Sequence, residues 1–264
     1  MWSPTRARLR RIYVKAPIAL QLYTLREIAQ EDFEAMVRLV SKIGYVGVEP
    51  AGFPGSTAEE AGRLFQELGL EVPSAHMPMP LGESRDEVLS AMKAIGCSRL
   101  VAGQGPDAFN SVEKIKRTCE LFNEAAAVAR DAGLTFGIHN HWWEFTPVEG
   151  VMPYQVMLDT LDRDIFFEVD TYWVQTAGVD VISVLKEMGE RAPLLHIKDG
   201  PTVQADPMTA VGSGVMDFPA ILEAAGDIPQ WLIVEQDRTA GDMVADVEQS
   251  YAYLVGSGLA RGRV

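Results

Sequence analysis

From residue 18 onward the chain alternates short apolar runs with longer amphipathic stretches, and that alternation predicts βα units feeding a parallel sheet. Eight runs read as strands, over residues 18–22, 45–49, 71–76, 99–102, 135–139, 165–170, 194–198 and 231–235. Helical spacing fills the gaps, and several of its ends carry start and stop signals. Thr57 followed by Glu60 reads as a capping box, with Leu64, Phe65 and Leu68 on the buried face and a stop at Gly69. A longer helix is expected from Val112 to Asp131, ending at Gly133. Asp217 ahead of Phe218 and Pro219 places a capping carboxylate before a first-turn proline, and Asp242 can cap the last helix. The fifth unit is the weakest, with only residues 152–161 for its helix. Eight evenly spaced units favour an α/β fold of one domain, a single (β/α)8 TIM barrel over residues 17–264. An open doubly wound sheet is the competitor, but no glycine-rich phosphate turn follows the first strand.

Composition narrows the class. A chain of 264 residues, 47% hydrophobic, has ample core without disulfide or metal staples, and that content excludes disorder. No apolar run approaches the ~20 residues of a membrane span, so no membrane partner is expected. Cys97 and Cys119 are too few for a disulfide framework; each sits in a helix-like context and reads as a buried thiol, which makes a reducing cytoplasm the default location. The formal charge of −14 is uneven. Residues 1–15 carry five basic groups and no acid, which leaves 18 basic against 37 acidic residues, net −19, in the other 249. Residues 1–16 therefore read as a basic N-terminal extension: a mobile tail, the product of an upstream start codon, or a transit peptide. The acidic barrel argues against a nucleic-acid partner, since phosphate neutralisation needs clustered Lys and Arg. A homo-oligomer is compatible with everything above.

Barrel enzymes carry their chemistry at the C-terminal ends of the strands. The last four predicted strands end in polar motifs that offer Glu144, Asp170, His196 and Glu235 at nearly one height, spaced by 26, 26 and 39 residues, about one βα unit each. Neighbouring strands lie ~4.8 Å apart, so such side chains can converge inside a curved wall. Three adjacent carboxylates would repel one another unless a cation sat between them. One His with three carboxylates is a hard, oxygen-rich donor set that suits Mn²⁺, Mg²⁺ or Co²⁺ better than structural zinc.

The segments His139-Asn140-His141-Trp142-Trp143-Glu144-Phe145, Glu168-Val169-Asp170-Thr171, His196-Ile197-Lys198-Asp199 and Val234-Glu235-Gln236-Asp237, with Leu20-Gln21-Leu22-Tyr23-Thr24, resemble the xylose-isomerase-like superfamily of sugar phosphate isomerases and epimerases, in its HNHxxEF branch. The resemblance implies one divalent metal, Mn²⁺ by preference, held by Glu144, Asp170, His196 and Glu235, and a small sugar or keto-sugar substrate. The chemistry fits: removing a proton beside a carbonyl leaves an enediolate whose charge a metal stabilises, with two carboxylates as base and acid. Glu144 and Glu235 lie on the outermost of the four strands and are assigned that catalytic pair. A lyase on the same scaffold, an inosose-type dehydratase or an eliminator acting on 3-keto glycosides, would share the proton abstraction; a repair endonuclease would need three metals and a basic groove.

Further residues are candidates for substrate binding. His76 ends the third predicted strand, where it either bonds a sugar hydroxyl or is a satisfied loop histidine. His139 and His141 cannot both be ligands if Glu144 is one, so they read as donors to substrate, as support behind the ligands, or as packing residues. Lys198 shares the face of His196 and either polarises a substrate oxygen or pairs with Glu168. Trp142, Trp143, Tyr172 and Trp173 offer faces for a sugar ring or pack a lid. Gly212-Ser213-Gly214 is a weak phosphate-loop candidate beside its reading as a flexible turn.

Overall fold

Parallel strands buried on both faces need nearly continuous apolar runs, with the two faces distinguished only by alternation. The computed structural model, which describes residues 15–263, arranges the predicted runs this way. β1 (Ile18–Gln21), β2 (Gly47–Glu49), β3 (Ala75–His76), β4 (Arg99–Ala102), β5 (Thr135–His139), β6 (Phe166–Asp170), β7 (Leu194–Ile197) and β8 (Trp231–Val234) form one sheet in the order β2-β1-β8-β7-β6-β5-β4-β3. Every described ladder is parallel. Closure between β2 and β3 comes from bonds just outside the ladder: Val48 N–H to the Glu71 carbonyl at 2.9 Å, Glu71 N–H to Val46 at 3.0 Å and His76 N–H to Pro50 at 2.9 Å. The chain is thus a single (β/α)8 TIM barrel. Of the extension expected over residues 1–16, residues 1–14 lie outside the described residues.

The third strand is shorter than expected. Residues 71–76 read as one run, but only Ala75 and His76 join the ladder with β4, while Glu71 bridges to Gly47 of β2. Pro73 lies between and has no N–H to give a ladder, so the run is divided there. The helices follow their caps closely. Helix Ala58–Glu67 has both halves of the Thr57/Glu60 capping box, helix Val112–Asp131 starts from Ser111, and Asp217 and Asp242 cap helices Phe218–Ala225 and Met243–Gly256. Cys119 is in its predicted helix; Cys97 instead follows the Gly96 turn ahead of β4, its thiol against the Arg99 carbonyl. Both thiols are pushed up to about 12 by burial, so both stay protonated and inert.

Alternation divides the barrel interior into two zones. The lower zone is apolar, with Ala19, Val101, Phe166, Leu194, Trp231 and Ile233 packed together. Two strand glycines make room for its large rings: a Cβ at Gly137 would lie 2.2 Å from Phe166, and one at Gly47 would lie 2.7 Å from Trp231. Two residues further along the same strands the inward positions turn polar, at Gln21, Glu49, His139, Glu168, His196 and Glu235. The site therefore sits on a packed floor at the C-terminal end of the barrel.

Candidate metal centre and active-site cavity

Register sets the height of the central side chains. Asp170 pairs with His196 across β6 and β7, and His139 pairs with Glu168 across β5 and β6. Asn140 ties β5 to β6, accepting from Asp170 N–H at 3.0 Å and donating to the Asp170 carbonyl at 3.3 Å. Asp170 then caps helix Thr171–Thr176 through Oδ1, which accepts from Trp173 N–H at 2.9 Å and leaves Oδ2 turned to the barrel centre. Thr171 donates to the His196 carbonyl at 3.1 Å and steadies the neighbouring strand.

Around this point the structure gathers His139, Asp170, His196 and Glu235, with one donor atom of each within 4.8 Å of the others. All four are buried. Three belong to the expected ligand set. Glu144 lies beside them in the turn Trp143–Phe145, where its Oε2 accepts from His141 N–H at 2.9 Å, and the fourth place in the close group is filled by His139. Asp170 Oδ2 lies 3.1 Å from the Lys198 ammonium and 3.8 Å from His139 Nε2, and Glu144 Oε1 is buried with no hydrogen-bond partner. Two imidazoles and two carboxylates that converge this closely in a buried space are what a divalent ion would satisfy, so the residues present fit a metal.

A second layer supports this group. His196 Nδ1 is 2.8 Å from Glu235 Oε2, while its Nε2 is 3.2 Å from Glu49 and 3.1 Å from Glu168. One ring nitrogen is thus turned to the ligand group and the other is held by carboxylates, the arrangement that fixes a metal-binding imidazole. Glu49 is itself held by Gln21 at 2.5 Å and Ser74 at 2.5 Å. His76 Nε2 bridges Glu168 at 2.5 Å and Glu49 at 2.9 Å, so His76 closes this layer as well as bordering the cavity. All four histidines of the sequence meet here, with His139 ring centroids 4.5 to 5.0 Å from the other three.

Lys198 is fully buried, and its ammonium lies 2.8 Å from Glu235 and 3.1 Å from both Asp170 and Asp237. The expected alternative partner, Glu168, is corrected by this geometry. Glu168 sits one pleat deeper and is taken up by His76, His139, His196 and Ser74, because Lys198 follows β7 and rises above that level.

Burial and neighbouring charge divide the titratable groups. Burial pushes Glu144 up to about 8, against the His141 N–H bond that lowers it. Burial also raises Asp170, to about 6, with Lys198 opposing. Glu235 feels the same burial, yet Lys198 and His196 hold it well below the usual carboxylate range. His76, despite burial, is raised to about 10 by Glu49 and Glu168, and His196 is raised by Glu168 and Glu49 in the same way. His139 and His141 go the other way, lowered by burial and by the cations beside them, His141 to about 3.

Above the cluster opens a cavity of about 550 Å³, bordered by His76, His139, His141, Lys198, Glu235 and a wall of Trp142, Trp143 and Trp173. This volume lies within the ~300–1,000 Å³ of small-molecule sites. Trp143 stacks on His141 at 4.1 Å and donates its indole N–H to the Gln104 carbonyl. Tyr172 is buried behind the wall, packed edge-on against Trp173 with centroids 5.3 Å apart, its hydroxyl accepting from Thr202 N–H. The Gly212-Ser213-Gly214 turn has no free anion nest: the Asp199 carboxylate accepts from the N–H groups of Gly200, Gly212, Gly214 and Met216 at 2.8 to 3.1 Å. Of the residues at this centre, sequence reasoning missed Gln21, Glu49 and Ser74. The signal for the first two was the inward alternation Ala19/Gln21 and Gly47/Glu49, which places each two residues beyond a floor position.

A sequence profile described as xylose isomerase-like TIM barrel matches residues 37–254. No curated protein matches the chain by sequence. Among solved structures, a sugar phosphate isomerase/epimerase from Parabacteroides distasonis ATCC 8503 is similar with 23% identity and TM-score 0.77, covering 98% of this chain and 100% of that one. A probable 3-DHS dehydratase, AsbF, from Bacillus anthracis aligns with 10% identity and TM-score 0.72 over 90% and 98% of the two chains. The IOLI protein with a bound zinc atom aligns with 15% identity and TM-score 0.70 over 91% and 98%. At these identities the likeness establishes a common fold.

Proposed function

Because this chain belongs to the xylose isomerase-like TIM barrel family, we propose that it is a divalent-metal-dependent sugar isomerase or epimerase acting by proton abstraction beside a carbonyl. The observation that carries this reading is the buried cluster of donor atoms from His139, Asp170, His196 and Glu235 at the C-terminal end of the barrel; the surroundings also push the carboxyl groups of Glu144 and Glu235 in opposite directions. Environments that push two such groups apart mark an acid and a base.

Asp170, His196 and Glu235 would hold the ion, with His139 and Glu144 as the donors available for the fourth position. Such an ion, with Mn²⁺ favoured where Glu144 rather than His139 completes the set, would supply positive charge to the substrate carbonyl, worth several kcal/mol to a developing enediolate. Glu235, kept charged by Lys198 and His196, takes the proton from the carbon beside the carbonyl. Glu144, which burial pushes up to about 8, would return a proton from the other side of the sugar plane when His139 and not Glu144 takes the fourth position. Lys198, His139 and His141 border the cavity where they can bond substrate oxygens, and the neutral state of both histidines leaves each one acceptor nitrogen.

One observation also suits elimination: a protonated Glu144 can give its proton to a departing hydroxyl as readily as to carbon. Incubation of the metal-loaded protein in D₂O with ketoses, inososes and 3-keto glycosides, followed by NMR, separates the outcomes. Deuterium incorporation with a new diastereomer or a moved carbonyl supports the isomerase reading, and loss of water or aglycone supports the lyase. Glu144→Gln and Glu235→Gln are each expected to lower solvent exchange about 10²–10⁴-fold. Retention of full exchange in both variants would overturn the assignment.

A further inference from the structure

Residues 198–217 join β7 to helix Phe218–Ala225 with no helix or strand of their own. Connections longer than about 12–15 residues without such structure are usually lids, binding loops or linkers. This one divides into a root and an arm. The root is fastened by Asp199, whose carboxylate takes the N–H groups of Gly200, Gly212, Gly214 and Met216, and whose carbonyl takes Thr209 N–H at 3.1 Å. Met208 is buried, gives its N–H to the Arg238 carbonyl at 3.2 Å and accepts the Asp237 N–H on its sulfur.

The arm is residues 201–207, and every one of them except Thr202 is exposed, Val203 at 47%. Two hydrogen-bonded attachments tie it to the rest of the barrel among the described residues. Thr202 gives its N–H to the Tyr172 hydroxyl at 3.2 Å, while Arg238 gives Nε to the Asp206 carbonyl at 3.0 Å and a terminal nitrogen to the Gln204 carbonyl. In this position Thr202 has a φ of 55°, a left-handed conformation that a β-branched residue rarely adopts. Backbone strain in an exposed, thinly held segment is the property expected of an element with a second position.

Both attachments stand at the rim of the cavity. Tyr172 packs against Trp173, which borders the cavity together with Trp142, and Arg238 borders it directly. Tyr172 follows β6 and Arg238 follows β8, so the arm runs across the end of β7, where Lys198 borders the same space. No residue of the arm is in the cavity lining, so in this structure the arm stands clear of an opening that both of its attachments flank.

We propose that residues 201–207 are a strap with two positions, the one seen and one folded down over the cavity, with Tyr172 and Arg238 as its latches; the inference rests on the proposed site but not on its turnover. Folding down relieves Thr202, brings the exposed Val203 onto the partly exposed Trp142 and keeps water from the reacting carbon. Pulsed electron paramagnetic resonance tests it, with nitroxides at Ala205→Cys on the arm and Ala51→Cys, exposed at the cavity rim after β2 and three strands from β7. Cys97 and Cys119 are buried and leave the labelling specific. In the Mg²⁺-supplemented protein two distances are expected, the shorter from the closed strap. Tyr172→Phe removes the acceptor of Thr202 N–H and should raise the shorter population about fivefold, whereas Thr202→Gly, which adopts the same φ without strain, should lower it. Arg238→Ala, checked for an unchanged thermal melt, opens the other latch and replaces Tyr172→Phe if that variant does not fold. One unchanging distance in the parent and both latch variants, or a shorter population that grows in Thr202→Gly, overturns the proposal. The distances are read without turnover, which keeps the two readings apart. Two positions with no solvent exchange on any sugar remove the catalytic reading alone, and exchange with one fixed distance removes the strap alone.

Discussion

Glu49 and Asp199 are two buried carboxylates with opposite relations to the site. Glu49 accepts from Gln21 and Ser74 and faces the rings of His76 and His196, so it acts on the ligand group through His196. Glu49→Gln is expected to lower divalent-ion affinity about 10–100-fold, as loss of an outer partner of a ligating histidine commonly does. Competition with a chromogenic chelator measures this, and unchanged affinity would remove Glu49 from the support of the site. Asp199 acts on the chain itself. Asp199→Ala leaves four N–H groups without their carboxylate, and a loss of about 3 kcal/mol in urea denaturation is expected, with new proteolytic cleavage within residues 200–216. At this scale the histidines and late-strand acids were legible from their positions at strand ends. For Glu49 the alternation Gly47/Glu49 marks only an inward-facing strand end, and its partner is set when the barrel places it against a residue 147 positions away.

Elements follow local signals where one signal dominates. The Thr57/Glu60 capping box, the proline-led helix after Asp217 and the twenty-residue helix from Val112 all form as their sequences direct. The run at 71–76 diverges because Pro73 removes a ladder donor, which apolar patterning does not register. Strand β5 shows the reverse, a glycine whose reason is tertiary. Gly137 leaves space for the Phe166 ring from the adjacent strand, so Gly137→Ala forces a clash at the barrel floor. The expected cost is about 1–3 kcal/mol in equilibrium unfolding. A neutral substitution would mean that Phe166 can leave the floor without penalty.

At the scale of the whole molecule, the metal-free cluster balances buried carboxylates with protonated His76, protonated His196 and Lys198. A divalent ion coordinated by His196 must displace a proton, because the raised affinity of that ring keeps it charged at neutral pH. Metal affinity is therefore expected to rise with pH through the neutral range, and binding in lightly buffered solution should release protons. A pH-independent affinity with no proton release would show that His196 does not carry the proton a bound ion must displace. Binding at one hundred times Kd adds about 2.7 kcal/mol of stability, so Mn²⁺ should raise Tm and a chelator should reverse the rise. Among the described residues no helix is long and apolar enough to cross a membrane.

The eight-unit barrel and the family of chemistry follow from local properties that survive in a one-dimensional string: period-two and period-3.6 patterning, caps, and polar groups at strand ends. Which of those groups meet depends on curvature, register and burial, which act between residues far apart in the chain. Closure of the barrel puts His139 in the four-donor group with Asp170, His196 and Glu235. It gives Lys198 to Asp170, Glu235 and Asp237 instead of Glu168, and lets Asp199 fill the one loop that resembled an anion nest. The opposed protonation of Glu144 and Glu235 arises in the same way, since two chemically identical side chains differ only in what the folded chain brings beside them.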